Sequence, residues 1–95
     1  MLTLASMVMA AYGFLWNYTH IKYTPQPVVI EVGSKYDYNI YENAIYVPSA
    51  WNDSCANQTE VVYMMAIHFN AFKNEKHKMT PETMQYIANK WECLQ

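Results

Sequence analysis

Residues 57–73 read Asn57-Gln-Thr-Glu60-Val-Val-Tyr-Met-Met65-Ala-Ile-His68-Phe69-Asn-Ala-Phe72-Lys73. Apolar residues recur here at helical spacing, with no proline or glycine to interrupt them, and the stretch predicts a helix. Asn57 stands where a cap is wanted, and Glu60 three residues on completes a capping-box pattern. The helix is expected to run from Asn57 to about Phe72. His68 falls late in it, on a face shared with Val61, Met64, Met65 and Phe72.

Working outward, residues 73–79 are a polar, basic-leaning link. Thr80-Pro81-Glu82 then signals a second helix: Thr as cap, Pro in the first turn, Glu at the positive end of the dipole. Met84, Ile87, Ala88 and Trp91 lie on one face of it. On the other side, residues 48–56 form a loop with Trp51 and Cys55. Ala44-Ile45-Tyr46-Val47 reads as a strand ended by Pro48. Glu42-Asn43 is a turn, and residues 35–42 are Tyr-rich enough for a short strand. Val28-Val29-Ile30-Glu31-Val32 is a β-branched strand that stops at Gly33-Ser34. Residues 22–27 contain Pro25 and Pro27 and form an extended connector. The fold class is α+β: an N-terminal helix, a small antiparallel sheet of two or three short strands, then two C-terminal helices. The 95 residues make one small domain, with residues 1–21 an apolar helix, 22–56 strands and loops, and 57–95 two helices.

Residues 1–21 carry no Lys, Arg, Asp or Glu. A leader would want a basic start, which is missing. A membrane span wants about 20 apolar residues, and Asn17, Thr19 and His20 end the strongly apolar part sooner. The favoured expectation is a core helix; a membrane anchor or leader is the alternative. The chain is 53% hydrophobic, 15% charged and of net charge -2. With no basic run, a nucleic-acid partner is excluded. Cys55 and Cys93 can form one bridge or remain two buried thiols. A bridge would close a long loop, stabilise by about 3–4 kcal/mol and imply an oxidising compartment. The expected location is accordingly periplasmic, secreted or membrane-associated.

Few residues can carry chemistry. Zinc needs three or four converging donors; His68, His77 and Glu82 are the candidate noncanonical set, with His20, Glu75 and Gln85 in reserve. Cys55 with His68 is the one thiol–imidazole pair, and nothing near Cys55 points to a lowered thiolate pKa. Ser49 and Ser54 lack a nucleophile-elbow pattern. Two glycines, Gly13 and Gly33, cannot build a phosphate-cradling loop. Asn17, Asn52 and Asn57 each begin an Asn-x-Ser/Thr triplet, a pattern that this composition also produces by chance. Tyr36, Tyr38, Tyr41 and Trp51 are the candidate binding surface, because such rings give large contact area at low entropic cost. Covering a small sheet is the competing use for them.

In order along the chain, Tyr23-x-Pro-x-Pro-Val-Val-Ile, Ala44-Ile-Tyr-Val-Pro48-x-x-Trp51, Glu60-Val-Val-Tyr-Met-Met-Ala-Ile-His68 and Glu82-Thr-Met-Gln85-Tyr86-x-x-Asn89-Lys90-Trp91 resemble a minimal zincin-type metallopeptidase module of small bacterial and phage envelope proteins. The resemblance implies that His68 stands where such enzymes place the first ligand of His-Glu-x-x-His. Phe69 then occupies the position of the water-polarising Glu, Phe72 that of the second His, and Gln85 that of an acidic third ligand. Phe69 cannot polarise a zinc-bound water, and Phe72 cannot bind the metal. The catalysis of that family therefore does not carry over. The expectation is a non-catalytic protein-interaction module with no cofactor. A disulfide-stapled membrane-anchored envelope protein and a metal hydrolase with an unusual site are the alternatives.

Overall fold

The computed structural model describes residues 2–19, 29–71, 73 and 75–94. The proline connector at 22–27, His20 and Phe72 lie outside the described residues. The elements in order are α1 (Leu4–Thr19), β1 (Val29–Gly33), β2 (Asp37–Asn39), β3 (Ala44–Pro48), α2 (Cys55–Ala71), a single 3-10 turn at Glu75–His77, and α3 (Pro81–Ala88). The α+β arrangement of a helix, a three-stranded sheet and two further helices is that expected from the sequence.

α2 is the central element. Val61, Val62, Met65, Ala66, His68 and Phe69 are each fully buried on it. Two stripes account for this. Phe69 meets Tyr12 of α1 with ring centroids 5.4 Å apart, while His68 meets Tyr38 of β2 at 5.3 Å. A helix apolar on more than one face can be stable only with neighbours on more than one side, and α1, α3 and β2 all contact it. α1 contributes Met7, Val8, Ala11 and Leu15, spaced by one, three and four residues in the manner of a helix stripe facing a core. One face of it thus packs into the core, while Met9 and Trp16 are exposed. Among the described residues, no helix is long and apolar enough to cross a membrane.

The sheet is mixed rather than wholly antiparallel, with strand order β1-β3-β2. β2 pairs antiparallel with β3 (Tyr38 opposite Ile45), and β1 pairs parallel with β3 (Val32 opposite Val47). Burial agrees with the order. Ala44, Ile45 and Val47 of β3 are each nearly or fully buried, in keeping with its place at the centre, flanked by a strand on each side. β2, with Asp37 and Asn39, and β1 are left as edges. The turn between β2 and β3 needs one left-handed residue, Asn43 at φ 50°, a conformation that Asn tolerates better than most residues. Asn39 Oδ1 accepts from the backbone N–H groups of Tyr41 and Glu42 and fixes that turn.

The cap of α2 also differs from expectation. The helix starts at Cys55, and Ser54 Oγ accepts from Asn57 N at 3.3 Å. Asn57 lies inside the first turn, with its own side chain bound to Asn52 and Tyr36. A serine three residues earlier offers the same capping chemistry, and the side-chain bonds of Asn57 leave it no capping role. α3 starts as expected: Thr80 is the cap, accepting from Thr83 N, and Pro81 is its first residue. Met84, Ile87 and Ala88 are buried. Trp91 lies past the helix end, edge-on to Phe14 at 5.3 Å.

Gln58 ties the two C-terminal helices together. It is 1% exposed and makes four hydrogen bonds. Its Nε2 donates to the carbonyls of Asp53 and Leu94, and its Oε1 accepts from Trp91 Nε1 and Leu94 N. Beside it, Cys55 and Cys93 are joined by a disulfide with Cα atoms 5.4 Å apart. At the far end of α2, Asn70 accepts from Met79 N and donates to Met79 O. Replacing Gln58 with Leu should cost about 2–4 kcal/mol, because it leaves two N–H donors and two carbonyls without their partner. Urea unfolding should show a lower midpoint at unchanged slope.

Candidate functional site

His68 is fully buried, and its Nδ1 lies 2.5 Å from the Tyr38 hydroxyl. α2 aims the imidazole at the sheet, and β2 supplies the partner through Tyr38, the middle residue of a three-residue edge strand. Burial pushes the Tyr38 hydroxyl above its ordinary pKa of 10.0. Phe69, the next residue, is fully buried against Tyr12. The candidate donors elsewhere sit differently: His77, Glu82 and Gln85 are all exposed, and Gln85 donates to Asn89 on its own helix. Among the described residues, no group of three or more His, Cys, Asp or Glu side chains is placed to hold a metal ion. Cys55 is bridged to Cys93 and has no thiol to offer. Thirteen residues of helix also separate it from His68, about 20 Å of rise.

The four candidate surface aromatics divide into two kinds. Tyr38 is spent on His68. Tyr36 donates its hydroxyl proton to Asn57 Oδ1 at 2.9 Å. Burial raises its pKa, the Glu60 carboxylate adds to the rise, and the Trp51 indole N–H facing it opposes the rise. That N–H stays outside hydrogen-bond geometry and is buried without a partner. Tyr41, by contrast, is 95% exposed at the tip of the β2–β3 turn. Trp51 lines a recess of about 500 Å³ together with Leu2, Leu4, Val32, Val47 and Pro48. Asp53 is the one charged residue of that wall, and its Oδ2 accepts from Leu2 N at 2.9 Å. Of the Asn-x-Ser/Thr triplets, Asn17 and Asn52 are exposed, while both polar atoms of the Asn57 side chain are engaged.

Reading along the chain missed Gln58, Asn70 and the recess. Gln58 carried a usable signal: it precedes Val61, Val62 and Met65 by three, four and seven residues, so it lies on the buried stripe and needs partners there. The recess carried none, since its walls come from α1, β1, β3 and the following loop. Compared with known proteins, the chain matches no family model, no curated protein and no solved structure.

The raised hydroxyls give the pH dependence a definite sign. A tyrosine whose folded pKa lies above the unfolded value contributes stability that is complete below the unfolded pKa. That stability is lost as pH rises through the folded pKa. Stability should therefore fall on the alkaline side of pH 10. In a tyrosinate absorbance titration of the native protein, Tyr36 and Tyr38 should ionise late, above the ordinary tyrosine value of 10.0. Tyr38→Phe should remove one lagging step and cost about 1–2 kcal/mol, by taking a bonded hydroxyl from the buried His68.

Proposed function

We propose that this chain is a non-catalytic protein-interaction module on a zincin-like α+β scaffold, working in a cell envelope or phage context. The observation that carries the reading is the use made of residues 68 and 69. His68 is held by the Tyr38 hydroxyl and Phe69 fills the core beside Tyr12, so the two positions at which a zincin helix does its chemistry serve packing. A fully buried imidazole bonded to a phenol, with an aromatic neighbour, has neither the open coordination position nor the general base that a metallopeptidase needs. The surface supports the positive half of the reading. A recess of about 500 Å³ with apolar walls lies beside β1, within the size range of sites that take a ligand or an anchoring side chain. The disulfide favours an oxidising compartment, such as a periplasm or the cell exterior.

The test is metal content and hydrolysis together. Protein dialysed against zinc should retain no stoichiometric metal and should not cleave denatured casein. One zinc per chain, lost in His68→Ala, would overturn the reading and put the metal hydrolase in its place.

A second reading, association with an envelope membrane, is favoured by Met9 and Trp16. They lie seven residues apart on α1, hence on one face, and both are exposed, at 59% and 40%. Trp is the side chain that prefers the membrane interface. Flotation with anionic liposomes should then depend on Trp16, and Trp16→Ser should abolish it. Protein that stays at the bottom of the gradient would exclude this route.

A further inference from the structure

β1 places an apolar side chain on the core face of the sheet and leaves it uncovered. In the parallel register Val32 stands opposite Val47, and Ile30 opposite Ile45. Residues opposed in a ladder project to the same face, so all four belong to the face that meets the helices. Ile45 and Val47 are 0% and 1% exposed, and Ile30 is packed against the same core, yet Val32 is 66% exposed. The helical layer stops short of it. The recess begins there, with Val32 as one wall and Trp51 opposite among its lining. β1 is also an edge strand: among the described residues, no strand pairs with its outer side. Natural edges are commonly blunted by charge, proline or a bulge. β1 contains no proline, and Val32, its penultimate residue, is exposed.

Resting on the interaction-module reading above, we infer that β1 is the docking edge of this chain. The occupant is an extended, net basic peptide segment that adds as a fourth strand and seats one large apolar side chain over Val32 in the recess. Two features select that occupant. Strand addition uses main-chain hydrogen bonds for affinity and a pocket for specificity, and here the free edge and the pocket adjoin. The charge is the second. Among the described residues, the recess is lined by one charged side chain, Asp53, and by no Lys or Arg. An acidic wall favours a basic partner and disfavours an acidic one.

The probe is the synthetic heptapeptide acetyl-Lys-Val-Lys-Phe-Lys-Val-Lys-amide, titrated into the intact disulfide-bonded protein and followed through backbone amide resonances. Its counterpart has Glu at each Lys position. The Lys peptide should shift the amides of Val29–Gly33 and slow their exchange with solvent. The Glu peptide and the Val32→Asp variant should each weaken binding by about tenfold or more, while Tyr86→Ala, at an exposed position on α3, should leave it unchanged. Val32 is exposed, so its replacement is compatible with folding, and an unchanged disulfide and native spectrum would verify that. Equal binding of the two peptides, shifts confined to the Tyr41 turn, or no binding of either peptide would each overturn the inference. So would concentration-dependent self-association abolished by Val32→Asp, which would make a second copy the occupant. These results are separable from the metal test. A zinc-free, inactive protein that ignores the peptide leaves the non-catalytic reading standing, and zinc binding overturns that reading whatever the peptide does.

Discussion

Gln58 is the point on which the C-terminal half of this protein depends. An amide buried in an apolar setting is costly unless its donors and acceptor are met, and Gln58 meets the requirement with four hydrogen bonds to three residues in two stretches of chain. Those bonds set the loop before α2, the indole of Trp91 and the backbone of Leu94 in fixed relation to the first turn of α2. Trp91, so placed, presents its ring to Phe14 of α1. One side chain thus couples the first and last helices to the central one. The Cys55–Cys93 bridge reinforces the same junction through covalent linkage. It limits the unfolded chain, whereas Gln58 specifies the folded geometry.

With α2 fixed in this way, the sheet has little choice of position. Tyr38 reaches His68, and β3 lies at the centre between two edge strands. The helix layer covers β3 and the inner part of β1 and ends before Val32. The recess is the outcome of that shortfall: α1 and the loop around Trp51 meet the end of the sheet without closing over it. A 95-residue chain buries a modest fraction of its surface, and here one core-face position, Val32, stays uncovered.

The same geometry gives His68 its character. A histidine on a helix of this kind reads from sequence as a metal ligand or a packing residue, and the two uses make opposite demands. A ligand needs converging donors and access; a packing residue needs one good partner and exclusion of water. Tyr38 supplies that partner from a strand thirty residues earlier in the chain. The burial of His68 is complete.

The sequence by itself determined the elements. An uncharged apolar run marked α1, and apolar spacing marked α2 and α3; the Thr80-Pro81 start placed α3; β-branched runs and the Glu42-Asn43 turn placed the strands. These are local signals, carried by dihedral preference and by the spacing of side chains along a single segment. It also left the pairing of Cys55 with Cys93 as one of two outcomes. Tertiary structure alone decided that outcome, the parallel pairing of β1 with β3, the shift of the α2 cap to Ser54, the inward turn of Tyr36 and Tyr38, and the recess. Each of these depends on which surfaces meet, and so on the competition between burial of apolar area and satisfaction of polar groups across segments far apart in the chain. Local preference has no term for that competition. Val32 illustrates the difference: its sequence context is that of any buried strand valine, and only the extent of the helix layer above it leaves it exposed.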